Sequence, residues 1–346
     1  DLGMVRDVVI SASGAVSLTV VLTISGCPLR NEIQQRVNTA LRALDGVTDV
    51  ALNFGVMTDA ERAKVRELVH GNPAATAGST PAQGHSEGRK ISFAQPGSKT
   101  RPILISSGKG GVGKSSVTTN LAVALATAGY KVGVVDADIY GYSIPRMLGT
   151  DRDPVVIDNM LLPPEAWGVR CISIGYFVPE GQAVVWRGPM LHKALEQFLT
   201  DVYWDEPDFL LIDMPPGTGD IALSLSQYLP RAEVLVVTTP QLAAQKVARL
   251  SAAMAVKVNL PVRGIIENMS WFIGEDKKRY ELFGSGGGQL LADELKVPLL
   301  AQIPLLEELR EGGDTGRPIS AISPESEVGL IFAQLAKRIA EDMKPK

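Results

Sequence analysis

Short runs of apolar, largely β-branched residues alternate with helical segments from residue 101 onward. The apolar runs are Ile103–Ser106, Val132–Asp136, Val169–Ile174, Phe209–Asp213, Val234–Thr238, Val262–Ile266 and Leu299–Ile303. The helical segments between them include Ser115–Thr127, Leu191–Leu199, Gln241–Val256 and Gly287–Leu295. Near-continuous apolar strands that are separated by helices indicate a parallel sheet covered on both faces. We therefore predict an α/β fold, a doubly wound and mostly parallel sheet, over residues 101–346.

A different pattern occupies residues 1–70. The apolar residues that alternate with polar ones up to Thr23, and the apolar run Val47–Phe54, predict strands, whereas helical spacing predicts helices at Arg30–Leu44 and Ala60–Val69. These elements indicate a small α+β domain. Residues 71–100 are rich in Ala, Gly, Ser and Pro and have little to bury, so we predict a flexible linker there.

Composition narrows the class of protein. The chain is 45% hydrophobic and 21% charged, and its formal net charge is −4, so no global basic field suggests a nucleic-acid partner. No apolar run reaches the roughly 18 residues that a membrane span needs. Two cysteines cannot form a disulfide framework, which fits a reducing compartment. We expect a cytoplasmic protein that binds neither nucleic acid nor membrane.

Residues 108–115 carry the strongest motif. Their sequence Gly-Lys-Gly-Gly-Val-Gly-Lys-Ser fits the P-loop pattern, follows a predicted strand and opens a predicted helix. Glycines let backbone N–H groups turn towards phosphate oxygens, and the helix N-terminus adds a positive dipole end. Lys114 should contact the β- and γ-phosphates of ATP, and the Ser115 hydroxyl should bind Mg²⁺. The predicted nucleotide-binding residues of this loop are Gly108, Lys109, Gly110, Gly111, Val112, Gly113, Lys114, Ser115 and Ser116.

Three aspartates end predicted strands. Asp213 closes a buried run, as the Walker B carboxylate does, and would hold Mg²⁺ through water. Asp136 and Asp138 follow the P-loop helix by one strand; either could position the attacking water or simply cap the next segment, and we favour Asp138. Lys109 is a second lysine that a generic P-loop does not need, and its alternative interpretation is an exposed loop charge.

Lys109 together with residues 110–115 resembles the deviant Walker A signature of the MinD/ParA-like ATPases. Further motifs narrow the resemblance: Asp136-Ala137-Asp138-Ile139-Tyr140-Gly141, Trp186-Arg187-Gly188-Pro189-Met190, Asp213-Met214-Pro215-Pro216-Gly217-Thr218-Gly219-Asp220 and Glu267-Asn268-Met269-Ser270. Together they resemble the Mrp (ApbC) family of iron–sulfur cluster carrier ATPases over nearly all of 101–346. Residues 1–70 are similar to the small iron–sulfur assembly domain that often precedes Mrp.

This resemblance implies several roles. Lys109 would reach across a homodimer interface to the partner's nucleotide and act in catalysis with Lys114 and Asp138. Asn268 would contact the adenine, with Pro304 near the base. A Mg²⁺-dependent ATPase would then drive or gate the delivery of clusters to apoprotein clients.

The chain departs from that family at the expected cluster site. Many members carry Cys-x-x-Cys between the positions of Met269 and Phe283, whereas no cysteine occurs there in this chain. Cys171 lies in a predicted strand and is expected to be buried, whereas Cys27 precedes a predicted helix whose N-terminus favours a thiolate. A [4Fe–4S] cluster commonly takes four thiolates. We therefore predict no stable cluster at the usual interface; any cluster would be labile and would depend on Cys27.

A positioning ATPase similar to MinD or ParA is the alternative function. A MinD-like protein needs a C-terminal amphipathic membrane helix, and the apolar spacing within Val328–Ile339 is explained equally well by core packing. A ParA-like protein needs a basic DNA-binding patch, and the sequence shows none. A small-molecule kinase or synthetase could use the same loop, but the fused small domain argues against both alternatives.

Overall fold

The computed structural model describes residues 5–11, 13–22, 30–44, 46–58, 61, 91–95, 97–139, 141–150, 152–157, 160–178, 188–217 and 220–342. The chain divides into two compact units, Asp1–Gly84 and His85–Lys346. Cys27, most of the predicted helix Ala60–Val69 and the linker residues 71–90 lie outside the described residues.

In its described residues, the first unit contains a three-stranded sheet and the helix α1. Its elements are β1 (Val5–Ile10), β2 (Ala15–Leu22), α1 (Arg30–Arg42) and β3 (Asp49–Val56). β2 lies in the middle, antiparallel to β1 and parallel to β3. A parallel pair needs a crossover connection, which α1 supplies. Leu18 and Val20 are buried on the inner face, and Val37 and Leu41 of α1 pack against them, as the sequence pattern predicts.

The second unit contains the larger set of strands. They are β4 (Arg101–Ser107), β5 (Val132–Asp136), β6 (Val155–Ile157), β7 (Met160–Leu162), β8 (Glu165–Ala166), β9 (Val169–Ser173), β10 (Phe209–Asp213), β11 (Glu233–Thr238), β12 (Val262–Asn268), β13 (Phe272–Ile273), β14 (Arg279–Tyr280) and β15 (Leu299–Ile303). Eight of them form one sheet in the order β15-β12-β11-β4-β10-β5-β9-β8. All neighbours in this sheet are parallel except β8, which is antiparallel to β9 at the edge.

Helices cover both faces of this sheet. They are α2 (Lys114–Thr127), α3 (Ile144–Leu148), α4 (Gly188–Thr200), α5 (Asp220–Tyr228), α6 (Leu242–Lys257), α7 (Gly287–Leu295), α8 (Glu307–Thr315), α9 (Ile319–Ile322) and α10 (Glu327–Lys337). Side chains of α4, α5, α6 and α7 share one buried cluster with the strands. Side chains of α2, α3, α8, α9 and α10 share the other. The doubly wound, mostly parallel fold is therefore confirmed.

The C-terminal helix α10 contributes its apolar face to the core. Val328, Phe332 and Leu335 are buried and pack in the same cluster as α2. Core packing therefore accounts for the apolar spacing that a MinD-like membrane helix would also show. Within the described part of the chain, no helix combines the length and the apolar character that crossing a bilayer requires.

The second unit begins before residue 101. Ile91 and Phe93, which lie in the predicted flexible linker, are buried in the core cluster of this unit. The Thr100 hydroxyl is also buried and donates a hydrogen bond to the Pro207 carbonyl at 2.6 Å. Two isolated apolar residues in a polar stretch carry no periodicity, so the sequence pattern did not reveal this packing.

The centre of the sheet brings the predicted site residues together. β4 lies between β10 and β11, and β5 follows on the far side of β10. The register places Asp213 beside Ile105 of β4 and beside Asp136 of β5. Because parallel strands end at the same edge, the P-loop, Asp213 and Asp136 meet there, with Asp138 two residues beyond the end of β5. In open α/β sheets this is the edge where ligands bind.

Candidate active site

The loop between β4 and α2 has a backbone that requires glycine. Gly111 and Gly113 have φ values of +78° and +81°, in the left-handed region. Gly108 lies against the backbone of α6, because a Cβ there would sit 2.6 Å from the Val247 carbonyl oxygen and closer still to two other backbone atoms. Glycine at these positions therefore permits both the turn of the loop and its contact with α6.

Lys114, the first residue of α2, is bonded to the carboxylate that ends β10. Its Nζ lies 2.6 Å from Oδ2 of Asp213, and the two side chains are 6% and 0% exposed. The Ser115 hydroxyl donates to the same oxygen at 2.6 Å. The Thr118 hydroxyl donates to Oδ1 of Asp213 at 2.7 Å. Three side chains from the first turn and a half of α2 thus converge on one buried carboxylate.

The two aspartates after α2 occupy different surroundings. Asp138 lies closer to the loop, with Oδ2 3.8 Å from Nζ of Lys114. Asp136 is fully buried and accepts hydrogen bonds from the backbone N–H groups of Asp138 and Ile144 and from the Ser173 hydroxyl. Burial, followed by the charge of Asp213, raises the pKa of Asp136 to about 8, although Lys114 opposes the rise. The Asp136 carboxyl group is therefore occupied by hydrogen bonds within the protein. Of these two aspartates, Asp138 is the one that lines the cavity at the phosphate loop.

A cavity of about 420 Å³ opens above the loop. Its lining includes residues 109–116, Asp138, Met147 and Pro216. The segment after β10 is joined to the base of the loop, because the backbone N–H of Gly217 donates to the Ser107 carbonyl at 2.9 Å. Of the loop 215–220, which could sense the γ-phosphate, Thr218 and Gly219 lie outside the described residues. Lys109, Lys114, Ser115, Ser116 and Asp138 thus share one cavity wall.

Asn268 ends β12 next to the phosphate loop. Its Nδ2 donates to the Val112 carbonyl at 2.9 Å, and the side chain is buried. Its Oδ1 is also buried, and within the described residues it has no hydrogen-bond partner. The register pairs Asn268 with Ile303, so the buried Pro304 follows directly beside it. An orphaned buried acceptor is uncommon and indicates a missing donor.

Thr118 of this site, and Gln241 outside the cavity lining, were not singled out from the sequence. Thr118 lies four residues after Lys114, a spacing that places both side chains on one helix face, so periodicity offered a signal. Gln241 accepts a hydrogen bond from Nζ of Lys109 at 3.1 Å. Its sequence signal is weaker, because only its place just after the carboxyl end of β11 points to the site.

The described residues do not fit a cluster with four thiolate ligands. Cys171 in β9 is fully buried, as predicted, and burial followed by the charge of Asp136 raises the pKa of its thiol. Within the described ranges, no group of three or more His, Cys, Asp or Glu side chains is placed to hold a metal ion. The segment that replaces the family's cysteine pair contains the exposed hairpin β13–β14, in which Arg279 stacks 4.2 Å over Trp271. The role of Cys27 stays a prediction.

The chain matches two protein-family models and several curated proteins. Residues 99–340 match a family model described as NUBPL iron-transfer P-loop NTPase, and residues 1–52 match one described as iron–sulfur cluster assembly protein. The iron–sulfur cluster carrier protein of Mycobacterium leprae is 45% identical over 342 residues, which cover 97% of this chain and 86% of that protein. That of Synechocystis is 42% identical over 347 residues, covering 98% and 91%.

Solved structures share the fold of the second unit. A nucleotide-binding protein from Archaeoglobus fulgidus, solved in complex with ADP, matches with a TM-score of 0.58 and 35% identity over 68% of this chain and 92% of that chain. The cell division ATPase MinD of Pyrococcus furiosus matches with a TM-score of 0.53 and 28% identity over 70% and 99%.

Proposed function

The chain belongs to the NUBPL family of iron-transfer P-loop NTPases, and we propose that it is a Mg²⁺-dependent ATPase that carries iron–sulfur clusters to apoproteins. The observation that carries the ATPase part is the convergence of Lys114, Ser115 and Thr118 on Asp213 beside the glycine loop. The names of the relatives from Mycobacterium leprae and Synechocystis support the carrier part.

The oxygen atoms at the start of α2 fit Mg²⁺. The Ser115 hydroxyl and the Asp213 carboxylate lie 2.6 Å apart, and hard oxygen donors are the ligands that Mg²⁺ prefers. These two residues would hold the ion, Asp213 through water. When bound, Mg²⁺ neutralises charge on the transferred phosphoryl group. When ATP binds, the Lys114 ammonium group would leave Asp213 and contact the β- and γ-phosphates.

Asn268 and Pro304 would form the base site. The buried Oδ1 of Asn268 needs a donor, and the exocyclic amino group of adenine is one. Guanine presents an acceptor at the corresponding position, which would leave Oδ1 facing another lone pair. The orphaned oxygen therefore supports ATP as the substrate in preference to GTP.

Hydrolysis would need one carboxylate and one further cation. Asp138 would position the attacking water, because it lines the cavity while Asp136 is bonded into the structure. Lys109 would act in the partner's site of a homodimer, as a cationic finger that is worth roughly 10³–10⁵ in rate. Lys109→Ala should keep ATP binding and lose turnover, and mixing with a Lys114→Ala subunit should restore it. Failure of that complementation would contradict action in trans.

The cluster would be cargo rather than a resident group. We propose that it is held weakly, with Cys27 as a thiol ligand, in the reducing cytoplasm that keeps thiols available. Anaerobic reconstitution, with iron counting and absorption spectra, should give substoichiometric iron that Cys27→Ala removes and that Cys171→Ala, once shown to fold, leaves in place. Transfer to an apo-ferredoxin should likewise depend on Cys27. A full cluster per dimer that survives Cys27→Ala would exclude this ligand.

A further inference from the structure

The additional lysine of the loop lies against a glutamine from a distant part of the chain. Nζ of Lys109 donates to Oε1 of Gln241 at 3.1 Å, across 132 residues of sequence. Both residues are half-buried. The backbone of Lys109 is held separately, because its carbonyl accepts from the Ser107 hydroxyl at 3.1 Å. The loop can therefore keep its shape whether or not the lysine side chain stays on Gln241.

Gln241 is the N-cap residue of α6, with φ −62° and ψ 133°. Its backbone carbonyl accepts from the N–H groups of Ala244 and Gln245, but its side chain makes no capping hydrogen bond. The side chains that cap helices well are those of Ser, Thr, Asp and Asn. The amide of Gln241 therefore does not serve its own helix; its hydrogen bond goes to Lys109.

The loop and α6 are held at a fixed separation. Gly108 contacts the backbone of α6 at Val247 so closely that no side chain fits between them. The turn before α6 is fixed as well, because Nε2 of the buried Gln245 donates to the Pro240 carbonyl at 2.7 Å. Because the two backbones are packed together here, rotation of the two long side chains is enough to break the contact between Lys109 and Gln241.

We propose that Gln241 is a positioning residue, a latch that retains Lys109 in its own subunit until a second nucleotide-loaded copy of the chain draws the lysine across. The inference rests on the proposed role of Lys109 in the partner's site. A lysine that must extend into another subunit first gives up its hydrogen bond to Gln241. The latch thus opposes formation of the active dimer without touching substrate.

The size of the effect follows from a half-exposed hydrogen bond. Breaking one such hydrogen bond lowers the association constant of the dimer by roughly threefold. A dimer breaks two of them, one in each subunit, so removal of the latch should raise the association constant by about tenfold. This factor corresponds to about 1.4 kcal/mol.

The test measures ATP turnover per subunit against the concentration of the full chain. In Gln241→Leu the concentration for half-maximal turnover should fall by about tenfold, with the plateau rate unchanged. In Gln241→Glu the concentration should rise, because a carboxylate holds the ammonium more tightly. Opposite shifts distinguish a latch from structural damage, which would impair both variants. Gln289, an exposed glutamine near the start of α7, gives the matched control, and Leu or Glu there should leave the curve unchanged.

Three results would overturn the latch: unchanged curves for both Gln241 variants, a higher half-maximal concentration for Gln241→Leu, or a loss of nucleotide affinity in a fluorescent-ATP titration. Lys109→Ala separates this failure from that of the proposed function. Full turnover in Lys109→Ala would remove the cross-subunit role and the latch together. If Lys109→Ala is inactive and is complemented by Lys114→Ala, while both Gln241 variants behave as wild type, the latch alone fails.

Discussion

Lys114→Ala is expected to lower the free energy of unfolding as well as to abolish ATP binding. Nζ of Lys114 lies 2.6 Å from Asp213 and 3.8 Å from Asp138, at positions that water hardly reaches. The substitution removes the cation that faces these carboxylates, while Asp136 adds a third carboxyl group next to Asp213. An unchanged free energy of unfolding would mean that Lys114, Asp213 and Asp138 are not arranged as described.

The magnitude follows from the distance and the burial. At 2.6 Å and an effective dielectric constant of about 20, the attraction between Lys114 and Asp213 is about 6 kcal/mol. Desolvation of both ions offsets much of it, yet removal of one partner of a buried pair typically costs about 3–5 kcal/mol, because the other charge stays buried. We expect a loss in that range near neutral pH.

The loss should depend on pH in a definite direction. Lys114 opposes the rise in the pKa of Asp136, so removing the lysine moves that pKa above about 8 and further from its ordinary value of 3.8. The folded variant then binds more protons than the unfolded chain between these values. Its stability is fully present below the unfolded pKa and falls as pH rises. Wild type loses stability in the same way up to about pH 8, so the deficit against wild type should widen mainly above that value and be larger near about pH 9.5 than near about pH 7.

Urea unfolding of the nucleotide-free full chain measures this deficit. All four tryptophans lie in the second unit, so their fluorescence reports that unit. Lys114→Ala/Asp213→Asn should recover most of the loss, and Lys246→Ala on the exposed face of α6 should match wild type. A deficit below about 1 kcal/mol near pH 7, or one that does not grow between about pH 7 and about pH 9.5, would refute the reasoning.

Three further predictions concern neighbouring residues. Asp138→Ala should bind ATP normally and lose phosphate release; unchanged turnover would move the water-positioning role to Asp136 or the 215–220 loop. Asn268→Ala should weaken ATP binding by about tenfold and GTP binding much less, in a competition titration, because only adenine donates to Oδ1. Asp136→Asn cannot ionise, whereas the pKa of Asp136 is raised to about 8 in the folded state. Wild-type stability therefore falls as pH rises from the unfolded value towards about 8, and the melting-temperature difference should shift in favour of Asp136→Asn between about pH 5 and pH 9; a constant difference would contradict this.

The sequence was most informative where both faces of a strand are buried. β5 and β10 have the bounds that their apolar runs predict, because every position in these two strands is buried beneath the helix layers. The partly exposed edge strand β15 also has its predicted bounds. The P-loop was equally accessible, because its glycines satisfy local backbone requirements. Lys114, Ser115 and Asp213 could be placed together because each lies where a predicted parallel strand ends, at the edge of the sheet that carries the loop.

Charged residues at strand starts were harder to assign. β4 begins at Arg101 and β11 at Glu233, one or two residues before their apolar runs. Arg101 pairs with Glu233 at 2.8 Å, and Glu233 pairs in turn with Arg263 at 2.7 Å. Such pairs join segments that are far apart in sequence, so periodicity cannot reveal them. The contact between Lys109 and Gln241 escaped prediction for the same reason.

The burial of Cys171 has a consequence for measuring motion in this protein. A thiol with no exposed surface and a raised pKa should react with a maleimide only when β9 separates from its neighbours. In a Cys27→Ser background, the alkylation rate of Cys171 would therefore report how often the sheet opens. β9 pairs with β5, whose last residue, Asp136, lies beside the proposed Mg²⁺ ligand Asp213. If bound ATP and Mg²⁺ hold these strands together more firmly, they should slow the alkylation of Cys171. The reaction rate of this one thiol would then measure how local opening of the sheet in the second unit responds to bound nucleotide.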